Sequence, residues 1–88
     1  MKLTVVLPRS ICKQDEFRKN ILHVSDQINL IDVVKDLLQE RFSIIFNEDG
    51  ISKGFALCFY NDDLLDSLHG KKINDGDELE IITAKSGG

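Results

Sequence analysis

Two adjacent glycines, Gly87 and Gly88, close the sequence, directly behind a β-prone run at residues 77–84. Glycine lacks a Cβ and adopts φ of either sign, so a pair of them passes through a channel too narrow for any side chain and presents a carboxylate at its far end. On that reading the reactive group is the carboxylate of Gly88. The plain alternative is a frayed terminus. At an average glycine content near 7%, a chance pair has odds of about 0.5%.

The other residue types that could do chemistry are two cysteines and two histidines. Cys12 and His23 are separated by the same interval as Cys58 and His69, and Cys2His2 is a zinc set. Zinc ligands are normally paired two to four residues apart, which these are not, so no metal is expected. Two distant cysteines do not build a disulfide scaffold, and both are expected as free thiols. Cys58 lies in an apolar run and reads as a small core side chain. Cys12 has Lys13 beside it, which lowers a thiol pKa, but no histidine or carboxylate pattern marks it as a nucleophile.

Composition narrows the classes. Eighty-eight residues allow one small domain with a modest core and little room for a deep cleft, which disfavours a self-contained enzyme. Apolar residues at 42% and charged residues at 30% fit a folded soluble domain rather than a disordered chain. A net charge of −4 points away from nucleic acid, which demands surplus Lys and Arg. Only five largely apolar residues precede Pro8, too few for a signal core or a membrane span. Cytoplasm and no membrane partner are the expectation.

These features must be carried by a few elements. Leu3, Val5 and Leu7 alternate with Thr4 and Val6 in a strand that Pro8 ends. Residues 9–18 are charged and aperiodic, a connection, and residues 21–24 form a second strand antiparallel to the first. The period then changes: Leu30, Val33, Val34, Leu37 and Leu38 make one apolar helical stripe. Asn29 stands as N-cap, Asp32 lies in the first turn and Arg41 in the last. Residues 42–46 are apolar and β-prone, and residues 47–54 form a polar turn region.

The run 55–60 is the most β-like, with Phe55, Leu57 and Phe59 on one face and Ala56, Cys58 and Tyr60 on the other. A strand apolar on both faces sits inside the sheet or under a partner. Asn61-Asp62-Asp63 breaks it, residues 66–72 read as a turn, and Asn74-Asp75-Gly76-Asp77 feeds the closing strand, where Leu79 and Ile81 alternate with Glu80 and Ile82. The order defines an α+β domain with one helix across a mixed sheet. The helix covers one face; the other is either a docking patch or is roofed by residues 42–54.

The segments "NEDGISKGFALCFYNDDLL" and "LHGKKINDGDELEII" and the final "SGG", in that order, resemble the MoaD/ThiS sulfur carriers, the family of the small subunit of molybdopterin synthase. The likeness is strongest over residues 48–88, and the capped helix stands where that family has its main helix. It implies a ubiquitin-like β-grasp with a mixed sheet of four to five strands, spanning residues 1–82, and a flexible C-terminal tail at residues 83–88.

The resemblance also implies chemistry. The chain would have no catalytic residues and no stably bound cofactor. A partner related to ubiquitin-activating enzymes would use ATP and Mg²⁺ to adenylate Gly88. Sulfur from a persulfide donor would then displace AMP, leaving a C-terminal thiocarboxylate that donates sulfur in cofactor biosynthesis, as in molybdenum cofactor assembly with a synthase large subunit. Gly87, Ser86 and Lys85 would be the residues recognised in the tail, and Phe55, Leu57 and Phe59 would dock the partner. Where this family often carries prolines and small apolar residues, the chain has Thr83-Ala84-Lys85-Ser86. Two other classes remain open: a ubiquitin-like modifier joined to lysines through Gly88, and a β-grasp interaction domain without tail chemistry.

Overall fold

The computed structural model describes residues 1–84. Five strands form one mixed sheet: β1 (Lys2–Val6), β2 (Lys19–His23), β3 (Ala56–Tyr60), β4 (Asp63–Leu64) and β5 (Asp77–Thr83). Their spatial order is β2-β1-β5-β3-β4. The central pair β1 and β5 is parallel, with Leu3 beside Asp77 and Val5 beside Leu79; the other pairings are antiparallel.

The alternation in β1 aims Leu3 and Val5 at the core, both fully buried along with Leu7. Pro8 cannot extend the ladder, and the chain turns through a 3₁₀ segment, Arg9–Ile11. Helix α1 (Leu30–Leu38) presents Leu30, Val33, Val34 and Leu38 to the same side of the sheet. Asn29 is its N-cap residue, but its side chain makes no capping bond; its carbonyl instead accepts from the N–H groups of Asp32 and Val33.

The helix ends at Leu38 because Gln39 turns to φ 52°. Arg41 therefore stands outside the last turn, in a 3₁₀ segment Gln39–Arg41. Its guanidinium still reaches back to the carbonyls of Leu37 and Leu38, so the cation meets the helix C-terminus from the following segment.

Of residues 42–46, only Phe46 is extended. They open as a short helix, α2 (Phe42–Ile45), because Phe42, Ile45 and Phe46 fall at helical spacing and all three are buried. The rings of Phe42 and Phe46 stack with centroids 5.0 Å apart. In the polar region that follows, Gly50 has φ +78°, and a Cβ there would come within 2.9 Å of Ile31 Cδ1.

The strand β3 turns into β4 through Asn61 and Asp62, both at positive φ. That is the geometry of a two-residue hairpin matching the sheet's twist. Among the described residues no helix is long and apolar enough to cross a membrane.

Candidate functional site on the open sheet face

Cross-strand partners share a face, so the register assigns every side chain. Ala56, Cys58, Tyr60, Leu79 and Ile81 enter the core. Leu57 pairs with Ile82, and Phe59 with Glu80 and Leu64, on the opposite face. Leu57 is 51% exposed, Ile82 42% and Leu64 58%, with Phe59 half-buried among them. Phe55, 43% exposed, precedes the strand, and its carbonyl accepts from the Ala84 N–H at 2.7 Å.

Of the docking residues read from the sequence, Leu57 and Phe59 lie together on this open face and Phe55 stands beside it. The segment that could have roofed them does not, since Phe42, Ile45 and Phe46 join the helix-side core. The sequence reading omitted Ile82 and Leu64 from the patch. Ile82 left a signal, an isoleucine in the outward slot after Glu80; Leu64 left none, because its place depends on a two-residue strand.

The patch adjoins the end of β5. The ladder runs through Thr83, and Ala84 is still hydrogen-bonded, so regular pairing continues two residues past position 82. Gly88, Gly87, Ser86 and Lys85 lie outside the described residues.

At this end of the sheet the connection 9–18 is anchored rather than loose. The Ser10 and Thr83 hydroxyls are 2.9 Å apart and hydrogen-bonded. Arg18 Nε donates to the Leu7 carbonyl. Arg41 donates to the Ile11 carbonyl at 2.8 Å and to both oxygens of Glu16, the shorter contact 2.7 Å. The hydrogen bond from Arg41 holds the Glu16 carboxyl below its ordinary range against the opposing effect of burial. Burial and the Glu16 charge raise the Cys12 thiol despite three nearby arginines, so it lacks the depressed pKa of a reactive cysteine.

At the opposite end a buried cluster fixes the start of β5. Asp77 accepts from Tyr60 Oη, Asn61 Nδ2 and the Asn74 N–H at 2.5, 2.9 and 2.8 Å. Burial pushes the Asp77 carboxyl up, but these three bonds and Lys71 outweigh it and hold the group below its usual value. Burial, then the bond to Asp77, raises the Tyr60 hydroxyl. Lys71 Nζ sits 4.8 Å from the Tyr60 ring centroid. Burial pushes the Cys58 thiol up to about 12, which makes it an inert core group.

Among the described residues no three His, Cys, Asp or Glu side chains gather into a metal set. What this region offers is an exposed apolar surface beside the end of β5.

A mixed five-stranded sheet with one main helix lying across it is the ubiquitin-like β-grasp, and that is the fold of this chain. Among solved structures it is similar to the crystal structure of SAMP1 from Haloferax volcanii, with a TM-score of 0.73, 20% identity and complete coverage of both chains. It is also similar to the solution structure of the Haloferax volcanii HVO 2177 protein, with a TM-score of 0.65, 22% identity, all of this chain and 87% of that one covered. No protein-family model and no curated protein matches the sequence.

Proposed function

We propose that this chain is a ubiquitin-like carrier protein that works through the carboxylate of Gly88 and is not itself a catalyst. A carboxylate is a poor electrophile. An adenylating partner, using ATP and Mg²⁺, joins it to the α-phosphate with release of pyrophosphate, which makes AMP the leaving group. The outer sulfur of a persulfide attacks the acyl-adenylate and displaces AMP, giving an acyl disulfide; a second thiol then attacks the S–S bond at the donor's sulfur, forms a disulfide with it and releases Gly88 as a thiocarboxylate that donates sulfur in cofactor biosynthesis. Molybdopterin synthesis, with a synthase large subunit as acceptor, is the destination suggested by the sequence resemblance.

The observation that carries this reading is the apolar patch of Leu57, Phe59, Leu64 and Ile82 beside the end of β5, with Ile82 six residues before Gly88. A partner seated on the patch holds the start of the tail, so Lys85, Ser86 and Gly87 need span only the distance to its active centre. The β-grasp likeness to SAMP1 supports the same class of protein.

The test is mass spectrometry of the intact protein isolated from cells. The expected species carries one sulfur in place of one oxygen at Gly88 and is absent from a Gly88 deletion. Ser-Gly-Gly remnants on lysines of other proteins, left by tryptic cleavage after Lys85, with no thiocarboxylate, would instead establish conjugation as a modifier. A carboxylate that stays unmodified in cells and with adenylating enzymes plus ATP would sink both.

A further inference from the structure

Along the outward side of β5 three side chains follow one another away from the tail: Ile82, Glu80 and Glu78. Ile82 belongs to the apolar patch, and Glu80 interrupts it. Glu80 stands in one cross-strand row between Phe59 on β3 and Val6 on β1, with Leu64 beyond Phe59. It is half-buried, whereas Glu78 is exposed.

Among the described residues no cation pairs with this carboxylate; the one ion pair joins Arg41 and Glu16. Lys19 shares the row but lies beyond Val6, two strand spacings or about 9–10 Å away. Glu78, beside Thr4, adds a second negative charge on β5. Lys2, beside His23, is farther still from the patch. The face thus grades from apolar at the tail end to acidic along the central strand, with its lysines on β2 and at the start of β1.

A partner that touches both Phe59 and Ile82 must also cover Glu80, the cross-strand neighbour of the first and the next outward residue to the second. Covering a lone carboxylate strips its water without replacement, which costs more than burying an aliphatic side chain beside it gains. Resting on the function proposed above, we infer that the adenylating partner sets an arginine against Glu80, framed by aliphatic side chains that meet Leu57, Phe59, Leu64 and Ile82. A guanidinium grips a carboxylate with two parallel bonds, holds its hydration weakly and lies flat on a ring such as that of Phe59; an ammonium offers no such fork. Glu80 is then a specificity residue, because a partner whose surface is apolar or acidic at that point is rejected.

The test adds the full chain, at varied concentration, to an extract of its native cells with ATP and follows by intact mass the rate at which Gly88 gains sulfur. Glu80→Leu makes the patch wholly apolar. Against a purely apolar partner surface it would load better; against an arginine it strands a buried cation and is expected to raise the apparent KM at least tenfold. The rate at saturation is expected to stay, since residue 80 lies eight residues from the reacting carboxylate and contributes to docking rather than to the chemical step. The melting transition of Glu80→Leu is expected to be no lower than the parent's, because the carboxylate it removes has no ion-pair partner in the fold.

Glu80→Lys is expected to raise KM further than Glu80→Leu, by like-charge repulsion, and Glu78→Leu, one slot away from the patch, to raise it less than threefold. The inference is overturned by a KM in Glu80→Leu equal to or below the parent's, by equal effects at positions 78 and 80, by a loss of loading that tracks a lowered melting transition, or by a parent dimer that Leu57→Asp dissolves, which would make a second copy the occupant. A loaded parent matched by Glu80→Leu fails this inference alone. A parent that gains no sulfur fails the carrier function, and the inference with it.

Discussion

On β3, the side chains of Ala56, Cys58 and Tyr60 and those of Leu57 and Phe59 are all apolar or aromatic, yet the first set is buried under α1 and α2 and the second faces outward. The same contrast holds across β5, where Leu79 and Ile81 are fully buried and Ile82 is 42% exposed. Apolarity alone therefore does not mark the core of this molecule. One face is apolar because it is covered by the chain's own helices, and the other in spite of facing outward, the property on which the proposed docking role rests.

This division predicts that matched substitutions on the two faces part company. Ile81→Ala should lower the unfolding free energy by about 2–5 kcal/mol in chemical denaturation, whereas Leu57→Ala should stay within about 0.5 kcal/mol of the parent. Equal losses would mean that the outer face is also core. Next in size is the anchor that ties the connection 9–18 to the helix side: Arg41→Ala removes the side-chain donor to the Ile11 carbonyl and leaves Glu16 with only the Lys13 N–H, and should cost about 1–3 kcal/mol. A loss no larger than that of an exposed substitution would show the clasp to be incidental.

The outer face is tested by function. Leu57→Asp with Ile82→Asp should leave the melting transition in place while lowering the rate of Gly88 adenylation at limiting protein at least tenfold, about 1.4 kcal/mol. A rate unchanged by both substitutions removes the patch from the docking reading. The two thiols sharpen the contrast further, since at pH 8 iodoacetamide should label Cys12 well before Cys58, whose modification should follow the rate of unfolding.

The smallest effect is electrostatic. Asp77 and Glu16 both have native carboxyls below their ordinary range, so the unfolded chain binds protons more readily than the folded one. Their contribution is complete above the unfolded carboxyl range and is lost as pH falls through it toward the native values. Stability measured from pH 6 downward should fall, with a shallower slope in Asp77→Asn; an unchanged slope would place the acid sensitivity elsewhere.

Much of this architecture was legible because periodicity is a local signal. The alternation of Leu3, Val5 and Leu7, the stripe from Leu30 to Leu38 and the run around Leu57 each identify their element without tertiary information. Residues 42–46 misled for a physical reason: a short, nearly all-apolar run satisfies either period, and only the joint burial of Phe42, Ile45 and Phe46 decides for helix. The Arg41–Glu16 clasp joins residues 25 apart, and the patch partners Ile82 and Leu64 are assembled by register. The sequence displays Leu57 and Phe59 as apolar on a second face; whether that face is roofed is a question of three-dimensional packing.

The strand order has a consequence for how the protein is made. β5 lies between β1 and β3, so until residues 77–83 have left the ribosome the β1–β2 hairpin and the β3–β4 hairpin share no edge. The closure joining Leu3 to Asp77 spans nearly the whole chain, a non-local contact that slows folding. The segment that completes the sheet is also the one that leads to Gly88. A nascent chain cannot complete the patch before the strand that bears Ile82 is in place.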